Sequence, residues 1–202
     1  MSLKRLFDIS LSSLGLIVSL PLWLIIPLAI KSEDGGPIFY FQDRTGKGGR
    51  IFKLLKFRSM IVDAEKETGA IQATADDPRV LKIGRLLRAT AMDELPQLVN
   101  ILKGDMSFVG PRALRPHEQE VFGRKDVLAI DQIPGHDRRL TVTPGLTGLA
   151  QVYLPADAPR RKKFRADLLY IRRQTFCLDL KLILLSFLIT FRGKWEFHGK
   201  KV

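Results

Sequence analysis

The chain has 202 residues, enough for one domain with a short appendage. Its formal net charge of +12 and pI near 10.1 point to an anionic partner, whether nucleic acid, anionic lipid or a phosphorylated small molecule. The single cysteine, Cys177, excludes an internal disulfide and a cysteine-based zinc site, and His117, His136 and His198 lack metal-ligand spacing.

From Ile9 to Ile30 the chain runs ISLSSLGLIVSLPLWLIIPLAI, without a charge. As one helix at about 1.5 Å per residue this stretch reaches roughly 33 Å, close to the thickness of a hydrocarbon core. No small-residue cleavage pattern follows it, so the segment is expected to be retained. Pro21 cannot donate to the Ile17 carbonyl and its ring pushes against it, so a kink is expected, with Ser19 placed to satisfy freed backbone groups. Lys4 and Arg5 precede the segment, and Lys31 and a basic domain follow it. Positive charge at both ends favours both ends on the cytoplasmic side. Residues 1–34 are therefore read as a membrane helix broken near Pro21 that enters one leaflet and returns; the alternative is a kinked transmembrane anchor.

Residues 35–202 are read as one domain at the cytosolic face. Gly35-Gly36-Pro37 ends the membrane segment, and Ile38–Gln42 and Ile51–Leu55 form a hairpin around the Thr45–Gly49 turn. Asp63 to Glu67 begins a polar helix, and Asp76-Asp77-Pro78 turns into a basic helix from Val80 to Arg88 with Leu81, Ile83, Leu86 and Leu87 on one face. A second helix runs from Asp93 to Leu102. Gly104–Pro111 and Thr143–Gly148 read as loops, and Asp157–Gln174 as a charged helix. Leu178–Phe191 is strongly apolar, with Arg192, Lys194 and Trp195 behind it. That suits an amphipathic helix at the membrane interface or a core helix of the domain, and the sequence leaves both open. The fold class is α+β, predominantly α-helical, with a re-entrant membrane helix, a small β-hairpin and interfacial helices.

Asp93-Glu94-Leu95-Pro96 can be read in two ways. Asp is a favoured N-cap, Glu suits a first turn and Pro is tolerated there, so the tetrapeptide can simply start a helix. The same geometry holds a carboxylate ionised where phosphate also binds, and an ionised carboxylate can ligate Mg²⁺ or attack phosphorus. Arg85 and Arg88 lie upstream; Lys103-Gly104-Asp105-Met106-Ser107-Phe108-Val109-Gly110-Pro111-Arg112 lies downstream. Glycines there permit close backbone approach, and Arg112 can fork onto phosphate oxygens. Pro144-Gly145-Leu146-Thr147-Gly148-Leu149-Ala150-Gln151 is a further turn able to line a polar site.

Five ordered motifs carry a resemblance that covers almost the whole chain. They are Gly36-Pro37-Ile38-Phe39 with Gln42 and Arg44, then Lys56-Phe57-Arg58-Ser59-Met60, then Asp93-Glu94-Leu95-Pro96-Gln97-Leu98, then Gly104-Asp105-Met106-Ser107 with Val109-Gly110-Pro111-Arg112, and finally Pro144–Gln151. In this order they resemble the bacterial sugar transferases, the monotopic polyprenyl-phosphate phosphoglycosyl transferases, in their minimal catalytic form. The resemblance implies transfer of a phospho-sugar from a UDP-sugar to polyprenol (undecaprenyl) phosphate, with release of UMP. It implies Mg²⁺ as cofactor, a covalent aspartyl-phosphosugar intermediate, and residence on the cytoplasmic face of a bacterial inner membrane.

Carried over, Asp93 is the nucleophile and a metal ligand, and Glu94 supports metal or proton handling. Lys56, Arg58, Arg88 and Arg112 are candidates for offsetting the charge of two polyanionic substrates. Asp167 matches an acidic position of the family. Thr143 stands where many members have a basic residue, and Tyr153-Leu154 where many have Gly-Arg, which leaves the sugar undetermined. The competing class is a membrane-anchored basic module binding nucleic acid or anionic lipid. The charge suits it, but no recognisable nucleic-acid motif is present, and the partners expected are UDP-sugar, polyprenol phosphate and a lipid bilayer, with no nucleic acid.

Overall fold

A computed structural model of the chain describes residues 2–64, 66, 77–116, 118–122 and 126–192. Helix α1 (Leu3–Val18) begins at Ser2, whose Oγ accepts from Arg5 N at 3.3 Å, and helix α2 (Leu22–Asp34) ends on Gly35 at φ +70°. The two helices meet at a bend of 61°. Pro21 supplies no donor at the break, and the Ile17 carbonyl accepts instead from Leu20 N at 3.2 Å. The Ser19 hydroxyl donates to the Leu16 carbonyl at 3.3 Å and accepts from Trp23 Nε1 at 3.1 Å. Pro27 sits inside α2 without ending it. No single helix among the described residues is long and apolar enough to cross a membrane; α1 and α2 together meet that test by length and composition.

Strands β1 (Phe39–Thr45) and β2 (Ile51–Phe57) form the expected hairpin, in register from Phe39 opposite Phe57 to Thr45 opposite Ile51. Each strand is longer than its apolar run, because the ladder continues through charged residues such as Asp43, Arg44 and Lys56. Helix α3 (Lys82–Ala89) lacks a side-chain cap of its own. Glu33 of α2 supplies one, accepting from Lys82 N at 2.6 Å and Ile83 N at 3.0 Å. Of the polar helix expected at Asp63–Glu67, residues 65 and 67 lie outside the described residues.

The helix expected from Asp93 is two pieces. Met92–Glu94 form one 3₁₀ turn entered from Ala91 at φ +52°, and helix α4 (Gln97–Lys103) begins after Pro96, which occupies the cap position. Asp93 is therefore not the N-cap of that helix. Pro96 separates the pieces because it has no N–H to continue the ladder. Asn100 of α4 ties the helix to the hairpin: its amide oxygen accepts from Leu55 N at 3.0 Å and its amide nitrogen donates to the Lys53 carbonyl at 2.8 Å.

Strand β3 (Ser107–Val109), strands β4 (Gln119–Phe122) and β5 (Asp126–Ala129), helix α5 (His136–Arg139), strand β6 (Gly145–Thr147), and helices α6 (Leu149–Tyr153), α7 (Arg160–Arg173) and α8 (Phe176–Phe191) complete the order. The two glycine motifs read as loops contain β3 and β6, which pair in parallel; β4 and β5 pair antiparallel. The glycines serve this pairing. A Cβ on Gly145 would lie 2.0 Å from Gly110 N, and one on Gly148 would lie 2.3 Å from the Gly110 carbonyl. The mixed α+β class stands, with more strand than the hairpin alone.

The main core joins Phe52 and Leu54 of β2, Leu98 and Ile101 of α4, Phe108 and Val109 of β3, Tyr170 of α7 and Leu182 and Ile189 of α8, with Leu11 and Leu16 of α1 against it. A second cluster packs Ile26 and Ile30 of α2 on Phe57, Leu81 and Leu87, with Trp23 and Phe39 at its edge. Helix α8 packs into the core along one face and leaves apolar side chains exposed on another. Asp179, Leu182 and Ile189 are buried, while Leu184, Phe187 and Phe191 stand exposed. Lys194 and Trp195 lie outside the described residues.

Candidate active site

A cavity of about 720 Å³ opens between the hairpin, the 3₁₀ turn, the segment after β3 and the face of α7. Cationic side chains outnumber carboxylates in its walls, among them Arg44, Lys56, Arg88, Arg112, Arg115 and Arg160, against Asp63, Asp93, Glu118 and Asp167. Such a surface attracts a polyanion of nucleotide size.

Asp93 stands in the cavity wall and Glu94 behind it; both are only 6% exposed. The left-handed Ala91 and the 3₁₀ turn bring the two consecutive carboxylates to the same cation. Lys56 Nζ, carried in by β2, lies 2.6 Å from Glu94 Oε1 and 3.5 Å from Asp93 Oδ2. Arg112 approaches Glu94 Oε1 at 3.8 Å and keeps 42% of its side chain exposed. Burial works against ionising Glu94, but Lys56 and Arg112 overcome it and hold the carboxyl below the ordinary carboxylate range. Arg88, from the last turn of α3, also reaches the wall. Five of the seven residues singled out in the sequence thus meet at one place.

Arg58 and Asp167 line the same cavity with their charges engaged elsewhere. Arg58 is buried; it pairs with both oxygens of Asp34 and donates to the Pro37 and Met60 carbonyls. It fastens the end of α2 to the hairpin. A Cβ on Gly36 would meet its guanidinium at 2.8 Å, which gives Gly36-Pro37 and Lys56-Phe57-Arg58 a common structural reason. Asp167 Oδ2 accepts from Arg139 Nε at 2.8 Å, and Arg139 stacks 4.2 Å over the Phe164 ring. Burial pushes the Asp167 carboxyl up, opposed by Arg139.

Among the cavity cations given no role in the sequence are Arg44, Arg115, Arg139 and Arg160. Arg139 sits in the run His136-Asp137-Arg138-Arg139, where nothing local separates a buried arginine from a surface one. Arg44 stood in a quoted motif but had no assigned role. Its guanidinium donates to the Ala113 carbonyl at 2.9 Å and to Gln42. Burial, with Arg112 and Arg115 nearby, draws its pKa down to about 9.

Comparison with known proteins adds ancestry to this geometry. The profile of the family described as bacterial sugar transferase matches residues 1–193. A UDP-glucose:undecaprenyl-phosphate glucose-1-phosphate transferase of Klebsiella pneumoniae is 42% identical over 198 residues, covering 96% of this chain and 40% of that protein. A protein of the same description from Escherichia coli (strain K12) is 39% identical, covering 95% of this chain and 40% of its own length. The exopolysaccharide production protein PSS of Rhizobium leguminosarum bv. phaseoli is 38% identical, covering 90% of this chain and 91% of its own length. The chain thus spans about two fifths of the first two relatives and nearly all of the third. With Asp93 in the wall of a cation-rich cavity and a match along almost its whole length, the chain belongs to the bacterial sugar transferase family.

Proposed function

We propose that this chain transfers a phospho-sugar from a UDP-sugar to a polyprenol phosphate such as undecaprenyl phosphate, releasing UMP and beginning the assembly of a glycan on a lipid carrier. The names of the relatives support the class of reaction. The observation that carries the assignment to this chain is the Asp93 carboxylate in the wall of a cavity rich in cations, with Lys56 beside it.

Asp93 attacks the β-phosphorus of the donor with one carboxylate oxygen. A P–O bond forms, and the bond from the β-phosphorus to the bridging oxygen breaks. UMP leaves with that electron pair, and the phospho-sugar remains on Asp93. An oxygen of the polyprenol phosphate then attacks the same phosphorus, and the Asp93 carboxylate departs unchanged. Attack by one anion on another requires the approaching charges to be offset, and Lys56, Arg88 and Arg112 serve that purpose.

The donor set suits Mg²⁺ bound partly through substrate. Asp93 offers a hard oxygen ligand, while no three His, Cys, Asp or Glu side chains converge among the described residues. Asp93 would hold the ion, and its remaining ligands would be left to donor phosphate and water, the usual pattern for this ion at phosphate sites. When bound, the ion neutralises charge on the diphosphate.

The exposed apolar residues Leu14, Ile17, Leu20, Leu24 and Leu28 of the bent α1–α2 pair, with Phe187 and Phe191 of α8, support placement in one leaflet at the cytoplasmic face of a bacterial inner membrane. Single cysteines near residue 2 and in the catalytic domain are expected to label from the same side; labelling from opposite sides rejects the re-entrant course. The reaction itself is tested by supplying UDP-sugars, undecaprenyl phosphate and Mg²⁺ and measuring UMP. Asp93→Asn is expected to lower the rate at least about 10³-fold. Wild-type turnover by that variant rejects the assignment.

A further inference from the structure

We infer that Glu94 is a positioning residue, which holds Lys56 beside Asp93 and itself touches neither substrate nor metal. The inference rests on Asp93 being the reacting group. The two carboxylates are consecutive and equally buried, but their surroundings differ. Asp93 is part of the cavity wall and Glu94 is not. Lys56 Nζ sits 2.6 Å from Glu94 and 3.5 Å from Asp93, so the short contact goes to the residue behind the wall. Arg112, at 3.8 Å, faces the same Glu94 oxygen.

This division solves a problem of the chemistry. A cation must stand near Asp93 to let a diphosphate approach, yet a tight ion pair would occupy the oxygen that has to attack. A second carboxylate that takes the short contact keeps the ammonium close and leaves Asp93 the longer one. A buried carboxylate with charged partners is also costly to free, so Glu94 is poorly placed to exchange Lys56 for a metal ion during turnover.

The experiment uses the full chain in detergent and two readouts. Reductive methylation with formaldehyde and borane, read by peptide mass spectrometry, reports access to the Lys56 amine, whose side chain is 17% exposed in the pair. Glu94→Gln is expected to raise Lys56 methylation about tenfold relative to Lys53, an exposed lysine on the same strand. Unchanged labelling overturns the inference. This readout needs no turnover, so it stands apart from the proposed reaction. Should Glu94→Gln fail to fold, Glu94→Asp keeps the charge and loses one methylene. It is expected to raise labelling about threefold, and wild-type labelling again overturns the inference.

The second readout is UMP release. Lys56→Met is expected to slow it about 30-fold, and adding Glu94→Gln to change it further by less than about twofold, because both variants remove the same arrangement. A further loss of about tenfold in the double variant, or a shift of more than about threefold in the Mg²⁺ half-saturation of Glu94→Gln, gives Glu94 a direct role and overturns the inference.

Discussion

Two buried polar clusters are built to opposite ends. In the cluster at the foot of α1, Asp179 is closed off: Lys4 Nζ meets Oδ2 at 2.6 Å and the Tyr170 hydroxyl donates to Oδ1 at 2.7 Å. Lys4 also donates to the Val109 carbonyl at 2.9 Å, and nearby Asp8 Oδ1 accepts from Phe108 N at 3.0 Å and Ser107 Oγ at 3.1 Å. The cluster around Asp93 and Glu94 borders a cavity whose walls are dominated by cations. A saturated network inside a packed frame fixes geometry, whereas a network at the wall of a cation-rich cavity is complementary in charge to an anion. Breaking the first should cost stability, and breaking the second should cost activity.

The largest stability effect is expected from Asp179→Ala. It removes the carboxylate partner of the Lys4 ammonium and the Tyr170 hydroxyl and leaves both to share the Val109 carbonyl, for a loss of about 3 kcal/mol. Denaturant unfolding in a fixed detergent measures it; a loss below about 1 kcal/mol would show that the cluster does not fix the frame. Asp8→Ala comes next, at about 2 kcal/mol, because Phe108 N–H is buried and loses its acceptor. Lys56→Met should invert the pattern, with the slowed turnover described above and a smaller stability loss than Asp179→Ala, since Arg112 still faces Glu94. Equal losses of stability from Lys56→Met and Asp179→Ala would erase the distinction between the clusters.

The smallest effect is spectroscopic. Burial, and Asp179 beside it, push the Tyr170 phenol well above its ordinary range. A folded-state pKa raised in this way gives stability that is complete below the unfolded pKa of about 10 and declines above it. Tyr170 should therefore contribute no tyrosinate absorbance near pH 10 in the native protein and should appear only with alkaline unfolding. An early Tyr170 signal, isolated by comparison with Tyr170→Phe, would mean that the cluster is wet.

The sequence made the open cluster legible and hid the closed one. Asp93, Glu94, Lys56 and Arg112 lie in runs whose order alone carried the resemblance, and the hairpin followed from two apolar runs around a glycine turn. Lys4 and Arg5 instead read as flanking charges of a hydrophobic segment. Nothing local indicates that Lys4 pairs with Asp179, or that Arg5 donates to the Ile101 and Leu102 carbonyls at 2.6 and 2.7 Å. The parallel pairing of β3 with β6 was hidden for the same reason. Three-residue strands give no period, and the glycines that signal a loop here let two backbones meet. The cap reading of Asp93 failed at Pro96, which takes the position that the acid was expected to fill.

The proposed covalent bond joins Asp93 to phosphorus. It is tested most directly by incubating the chain with a UDP-sugar and Mg²⁺ in the absence of acceptor, then recording intact mass and peptide spectra before and after hydroxylamine. A phospho-sugar adduct on Asp93 that hydroxylamine removes is expected, with one UMP released per adduct. Steady release of UMP on addition of undecaprenyl phosphate, with no adduct on Asp93 at any time and undiminished in Asp93→Asn, would contradict it.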